Sequence, residues 1–240
     1  MKKRMFIVTA ILILLIPAVI AVLVYNGMIQ LNRPSAEDYP VRGVDVSHYQ
    51  GKIDWNKLQA QGIMFAFIKA TEGSAYTDGM FQTNWENAAL TDIRPGAYHF
   101  FSFGSPGQKQ AENFINTVPV IDDMLPPVID IEPYGEYKTY KDAAASVPEI
   151  RDWLNAVEAA YGMKPVIYTT EAFYKGFIAA GFSDHDVWIR SVYKPPSGSV
   201  RWTFWQYSDR TRMDGYEGEE RFIDMNAFHG SVESFRSYGH

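Results

Sequence analysis

Pro126-Pro-Val-Ile-Asp-Ile-Glu-Pro133 is a short β-branched run bracketed by prolines, the composition of a strand whose last residues emerge at a sheet edge or a barrel rim. Side chains alternate along a strand, so Asp130 and Glu132 share one face while Ile129 and Ile131 take the other. Two strand rises set the carboxyls ~6 to 7 Å apart, and like charges at that distance in a poorly hydrated site resist ionising together. One of the two is therefore expected to hold its proton to higher pH than an ordinary acid. A neutral acid beside an ionised one is the pair that glycosidic bond cleavage requires. Capping of a helix or of loop amides is the other use of two acids at a strand end.

Outward from this stretch, apolar strands alternate with helical segments. Strands are expected at Gly43 to Tyr49, Met64 to Thr71, Arg94 to Phe101 and Pro165 to Thr170, besides the central one. Helices are expected at Asp54 to Gln61, Gly79 to Thr91, Pro106 to Val118, Val147 to Tyr161 and Glu171 to Ala180, with Asp54 as an N-cap and Gly162 and Gly181 as stops. The rhythm then changes: Asp186 to Tyr193, Trp202 to Ser208 and Arg221 to Phe228 read as strands joined by loops too short for full helices. Eight strands, five of them with helices, predict an α/β fold closed into a barrel with an incomplete helical coat. An open α/β sheet is the alternative, but no Gly-rich phosphate loop marks one.

The first and eighth strands repeat the alternation of the central one, in Val44-Asp45-Val46 and Ile223-Asp224-Met225-Asn226. In a parallel barrel, inward residues near the C-terminal strand ends line the site, so Asp45, Asp130, Glu132 and Asp224 are expected to converge at one mouth.

The N-terminus is of another kind. Lys2, Lys3 and Arg4 precede an uncharged run, Met5 to Tyr25, long enough to span a bilayer as a helix at about 1.5 Å per residue; Pro17 inside it is tolerable in a membrane helix. A cleaved signal peptide is the rival, but the run exceeds the usual ~7 to 15 apolar residues and no Ala-x-Ala-like site follows. The basic end stays cytoplasmic by the positive-inside rule, which places the rest on the periplasmic or outer side. The expected organisation is a cytoplasmic stub 1–4, a transmembrane anchor 5–25, a tether 26–40, a catalytic domain 41–232 and a tail 233–240.

Three of the 22 basic residues lie in the first four positions and none of the 28 acids precedes Ala36, so the chain beyond Arg4 carries 19 basic against 28 acidic residues, a net of −9. A nucleic-acid partner does not fit so acidic a chain. There is no cysteine, which excludes disulfides and thiolate metal sites, and the five scattered histidines form no dense ligand cluster; neither a metal nor a cofactor is expected.

Taken together, Gly43-Val-Asp-Val-Ser-His-Tyr-Gln-Gly51 with Asp54-Trp55, Phe67-Ile-Lys-Ala-Thr-Glu-Gly73, Gly96-Ala-Tyr-His-Phe100, Asp130-Ile-Glu132, Pro165-Val-Ile-Tyr-Thr169, Trp205-Gln-Tyr207 and Asp224-Met-Asn226 resemble the glycoside hydrolase family 25 lysozymes, the Chalaropsis-type muramidases. The resemblance runs from about residue 42 to 228 with motif order kept. It implies a flattened TIM-like barrel of five β/α units plus three strands, and hydrolysis of the β-1,4 bond between N-acetylmuramic acid and N-acetylglucosamine in peptidoglycan strands. By motif, Glu132 corresponds to the general acid, Asp130 to the residue that orients or stabilises the substrate N-acetyl group, and Asp45 and Asp224 to the remaining active-site aspartates.

His48, Tyr98, His99, Tyr168, Trp205 and Tyr207 are further candidates for lining sugar subsites, each with packing in a core as its alternative. Lys69 and Glu72 are expected either near the site or as an internal ion pair. Trp188-Ile-Arg-Ser-Val-Tyr193 departs from the Trp-x-Ala-x-Tyr pattern common in the family, and the Tyr- and Lys-rich stretch Tyr134 to Ala145 is a candidate for shaping substrate preference. Two competing functions are a chitinase-like hydrolase and a non-catalytic, membrane-tethered glycan-binding scaffold. Substrate assistance would retain the anomeric configuration, and direct attack by water helped by Asp224 would invert it.

Overall fold

The computed structural model describes residues 2–30 and 32–240, with the side chains of residues 2–12 and 14 outside the description. Eight strands close a barrel: β1 (Arg42–Val46), β2 (Ile63–Glu72), then, beyond the two-residue β3 (Tyr76–Thr77), β4 (Arg94–Phe100), β5 (Val128–Ile131), β6 (Val166–Thr170), β7 (Val187–Arg190), β8 (Phe204–Thr211) and β9 (Ile223–Phe228). Pairing of β1 with β2 completes the ring, and β3 hangs outside it as a hairpin on β2. The strands from β1 to β8 run parallel around the ring, whereas β9 is antiparallel to both β8 and β1. The all-parallel barrel expected from the sequence is corrected at this strand. The connection from Thr211 to Ile223 carries no helix, and such a loop returns the chain as an antiparallel neighbour.

The expected helices form at Trp55–Ala60, Phe81–Ala88, Gly107–Thr117, Val147–Tyr161 and 171–181, the last with a π-helical middle turn, Tyr174–Ile178. Asp54 caps the first through a 3.1 Å bond from the Lys57 amide, and Gly162 ends the fourth in the left-handed conformation, φ 67°.

Alternation sorts the core into two layers. Inside the barrel lie Phe65, Phe67, Val128, Val166, Trp188, Phe204 and Phe228. Outside it, Ile129, Ile131, Ile167 and Ile189 pack under helix residues such as Trp85, Phe114 and Trp153, each contributing about 1.5–3 kcal/mol by burial. Gly96 occupies an inward position of β4 where a Cβ would stand 2.7 Å from the Phe67 ring.

The segment 233–240, expected as a tail, is instead the floor of the barrel. Phe235, in a helix over Val232–Arg236, is 1% exposed among the inner aromatics, and buried Arg94 donates to the carbonyls of Phe235 at 2.7 Å and Tyr238 at 3.0 Å. At the other end of the chain, Lys2–Tyr25 is one helix through Pro17. Among the described residues no helix is long and apolar enough to cross a membrane. The apolar side chains 5–12 and 14 on which the anchor expectation rests, and Met1 of the expected stub, lie outside those described.

Candidate active site

The barrel register brings the acids together. In β5, Asp130 is aligned with Phe100 of β4 and Tyr168 of β6, and Glu132 follows one inward step nearer the rim. On the opposite wall Asp45 of β1 faces Asp224 of β9 directly, and Gln206 of β8 faces Asn226. Asp45, Asp130 and Glu132 lie at the C-terminal ends of parallel strands, where chains of this architecture expose inward polar groups, and Asp224 reaches the same rim from near the start of the antiparallel β9.

A relay of amides fixes two of the carboxyls. Gln206 Nε2 donates to Asp45 Oδ2 and to Asp224 Oδ2, both at 3.0 Å, and Asn226 Nδ2 donates to Asp45 Oδ2 at 2.8 Å. The amide oxygens are held in turn: the Tyr168 hydroxyl donates to Gln206 Oε1 at 2.9 Å and the Trp188 indole to Asn226 Oδ1 at 2.8 Å. Both amides are thereby oriented with their NH₂ groups toward the acids.

Asp130 differs. Its Oδ1 is buried with no hydrogen-bond partner among the described residues. Such an oxygen costs energy in the free protein and is satisfied once a donor enters the cavity.

Electrostatically, all four carboxyls are pushed up from the ordinary range. Burial is the largest cause for each. Asp45 rises to about 6, against the hydrogen bonds from Asn226 and Gln206 that favour its charge. Asp130 is driven well up by burial and then by the Glu132 charge. Glu132 rises through burial and the Asp45 charge, opposed by Arg190 and Lys69. Lys69 makes a 2.7 Å ion pair with Glu72 and Arg190 a 2.9 Å pair with Asp209, so both cations stand beside the acids without neutralising them. Arg190, the departure from the family pattern, is thus an inward residue of the site.

The acids line a cavity of about 240 Å³ that also touches Lys69, Tyr98, Phe100, Tyr168 and Trp188. A second hollow of about 430 Å³ shares Asp45, Ser47, Tyr49, Tyr98 and Asp224 with it and extends toward Asp209 and Glu220. Hollows of about 720 and 990 Å³ are larger, but neither has a carboxyl pair of this kind. Among the described residues no cluster of His, Asp and Glu is arranged to hold a metal.

Of the expected site residues, the structure brings together Asp45, Asp130, Glu132, Asp224, Tyr98 and Tyr168. His48 lines neither of the two hollows that share Asp45 and Asp224: its Nδ1 lies 2.7 Å from buried Asp78, and its ring borders a separate hollow beside Glu217. Three expectations are corrected. His99, Trp205 and Tyr207 alternate with inward neighbours and so face out of the barrel, His99 toward the helices and Trp205 and Tyr207 toward Tyr39, Trp202 and Arg42. His99 accepts from Thr71 Oγ1 at 2.7 Å, donates to Gln110 Oε1 at 3.1 Å and stacks on Trp153; burial lowers it to about 3, so it stays neutral. Trp205 donates to the Ser191 carbonyl at 2.9 Å, and Tyr207 lies under the Arg42 guanidinium. The residues missed, Gln206, Asn226 and Trp188, sit inside motifs that the sequence displays. Their signal is the same period of two that marked the acids: the polar residue between two aromatics in Trp205-Gln-Tyr207 is the inward one.

A family model described as glycosyl hydrolases family 25 matches residues 44–216, a range that holds Asp45, Asp130 and Glu132 and stops short of Asp224. The chain is 37% identical over 214 residues to lysozyme M1 of Streptomyces globisporus, covering 82% of this chain and 70% of that one. It is 36% identical over 207 residues to the uncharacterized protein YegX of Escherichia coli K12, covering 83% and 74%. Among solved structures, a family 25 glycosyl hydrolase from Bacillus anthracis superposes with a TM-score of 0.79 at 45% identity, over 87% of this chain and 97% of that one.

Proposed function

The chain belongs to glycosyl hydrolase family 25 and is a glycoside hydrolase; from that premise we propose that it is a membrane-anchored muramidase, cleaving the β-1,4 bond between N-acetylmuramic acid and N-acetylglucosamine with Glu132 as general acid and base. The observation that carries this reading is the meeting of Glu132 with Asp130, Asp45 and Asp224 in one cavity, with Glu132 partly open to it.

Burial and the Asp45 charge keep the Glu132 carboxyl protonated to higher pH than an ordinary glutamate, which suits it to protonate the glycosidic oxygen. The acetamido oxygen of the cleaved sugar attacks the anomeric carbon, and the sugar N–H finds its acceptor in the unpartnered Asp130 Oδ1. The Asp130 carboxyl, accepting that N–H, stabilises the positive charge that grows on the acetamido group. Glu132, now ionised, takes a proton from the water that opens the intermediate. This route predicts retention. Asp45 and Asp224, held by the Gln206 and Asn226 amides, set the charge around the pair.

For the anchor, the support is the uncharged run 5–25 behind Lys2, Lys3 and Arg4, which assigns the N-terminus to the cytoplasm and the barrel to the periplasmic or outer side.

The test is digestion of purified sacculi and of chitin by wild type and Glu132→Gln. New reducing ends of N-acetylmuramic acid from sacculi, abolished in the variant, are expected, with the retained anomer seen first by NMR. Equal release by both proteins, or release from chitin alone, would refute the assignment.

A further inference from the structure

The segment expected as a tether, 26–40, is seated on the barrel. Arg210 Nη1 donates to the Tyr25 carbonyl at 3.1 Å while its guanidinium covers the Tyr25 ring at 4.9 Å. Gly27, at φ 68°, passes so close to the Arg210 carbonyl that a Cβ would collide with it. Asn32, 7% exposed, donates to the carbonyls of Ser191 at 2.6 Å and Lys194 at 3.1 Å. Arg42 Nη2 then holds the carbonyls of Pro34 and Ser35, each at 2.7 Å.

Between this arch and strands β8, β9 and β1 lies a cavity of about 990 Å³. It is lined by Arg33, Arg42 and Arg212, and none of the described residues lining it is acidic. That is a marked local excess in a chain whose net charge beyond Arg4 is −9. Its other walls mix polar groups, Gln30, Gln61 and Thr211 among them, with Met28, Met213 and Met225. Arg42 Nη1 is buried there with no partner among the described residues, and the charges of Arg42 and Arg33 both act on Tyr207.

Position selects the ligand. A helix from Met5 to Tyr25 at about 1.5 Å per residue matches the ~30 Å hydrocarbon core of a bilayer, which sets the cavity wall formed by Gly27 and Met28 at the depth of lipid headgroups. We propose that Arg33, Arg42 and Arg212 bind the phosphate of an anionic phospholipid headgroup, with the methionines against its glycerol and upper acyl carbons. The bound lipid fixes the barrel, and so its mouth, in one orientation to the membrane. This rests on the anchor reading above.

The test uses the full chain in detergent micelles, titrated with phosphatidylglycerol or phosphatidylcholine and read by native mass spectrometry. Wild type should retain one phosphatidylglycerol. The Arg33→Gln/Arg212→Gln double variant should bind it about thirtyfold more weakly, from roughly 1 kcal/mol per arginine near an anionic surface. Arg33→Lys/Arg212→Lys should recover most of the affinity, and all variants should hydrolyse sacculi like wild type. Equal affinity in wild type and the Gln variant, equal binding of the two lipids, or tight binding of inorganic phosphate that displaces the lipid would overturn the proposal. Flotation of the full chain with phosphatidylcholine liposomes tests the anchor separately, because insertion of the helix does not need the arginines.

Discussion

Raising the pH from about 4 to about 7.5 should destabilise the folded domain, the reverse of the behaviour of a protein whose carboxylates are ion-paired. Asp45 moves from 3.8 to about 6 on folding, so between those values the folded state holds a proton that the unfolded chain has released. Stability therefore falls as pH rises through that window and levels off above the folded value. At 1.36 kcal/mol for each tenfold, the cost is about 3 kcal/mol for Asp45. Asp130, Glu132 and Asp224 are raised as well and deepen the fall. Surface acids held below their ordinary values, such as Glu171 and Asp184, act in the opposite sense, but their stabilisation is lost only at the acid end of the range. Urea unfolding of residues 26–240 at half-unit pH intervals measures the slope. Asp130→Asn removes a buried like charge, so its slope should be shallower and its stability at neutral pH higher than wild type. A wild-type stability that climbs through this window, or identical slopes in the two proteins, would refute the electrostatic reading of the site.

Gln206→Ala strips the amide from Asp45 and Asp224 and leaves the Tyr168 hydroxyl without its acceptor; a loss on the order of 2–4 kcal/mol is expected by chemical denaturation, with Asp45 titrating still higher. Asn32→Ala should cost about 1–2 kcal/mol and speed cleavage of the 26–40 segment by endoproteinase Glu-C at Glu37, because its amide holds that segment to the barrel. Tyr98→Ala should lower kcat/KM on sacculi at least tenfold through loss of the cavity wall, whereas Tyr207→Phe should leave kcat/KM within twofold, since its ring faces away from the acids.

The period of two in Val128–Ile131 was enough to place Asp130 and Glu132 on one wall, because a strand buried on both faces leaves its side chains no other register. Helix boundaries were legible where caps exist, as at Asp54 and Gly162. The same alternation, applied to Trp205-Gln-Tyr207 and Tyr98-His99-Phe100, would have turned Trp205, Tyr207 and His99 outward and selected Gln206. The pull of aromatics as sugar platforms hid what the register requires. The seating of Asn32 and the use of Phe235 as a floor were not legible, for a physical reason. Each depends on partners more than 100 positions away, Ser191 for Asn32 and Arg94 for Phe235, and no local periodicity records such a contact.

The central claim is that Glu132 holds a proton beyond the ordinary carboxylate range because of where the barrel puts it. Carbon-13 NMR titration of its side-chain carboxyl, assigned by the signal missing in Glu132→Gln, measures this directly. A midpoint above 4.5 that drops when Asp45 is replaced by Asn is the expected result; a midpoint at or below 4.5, indifferent to Asp45, would contradict it.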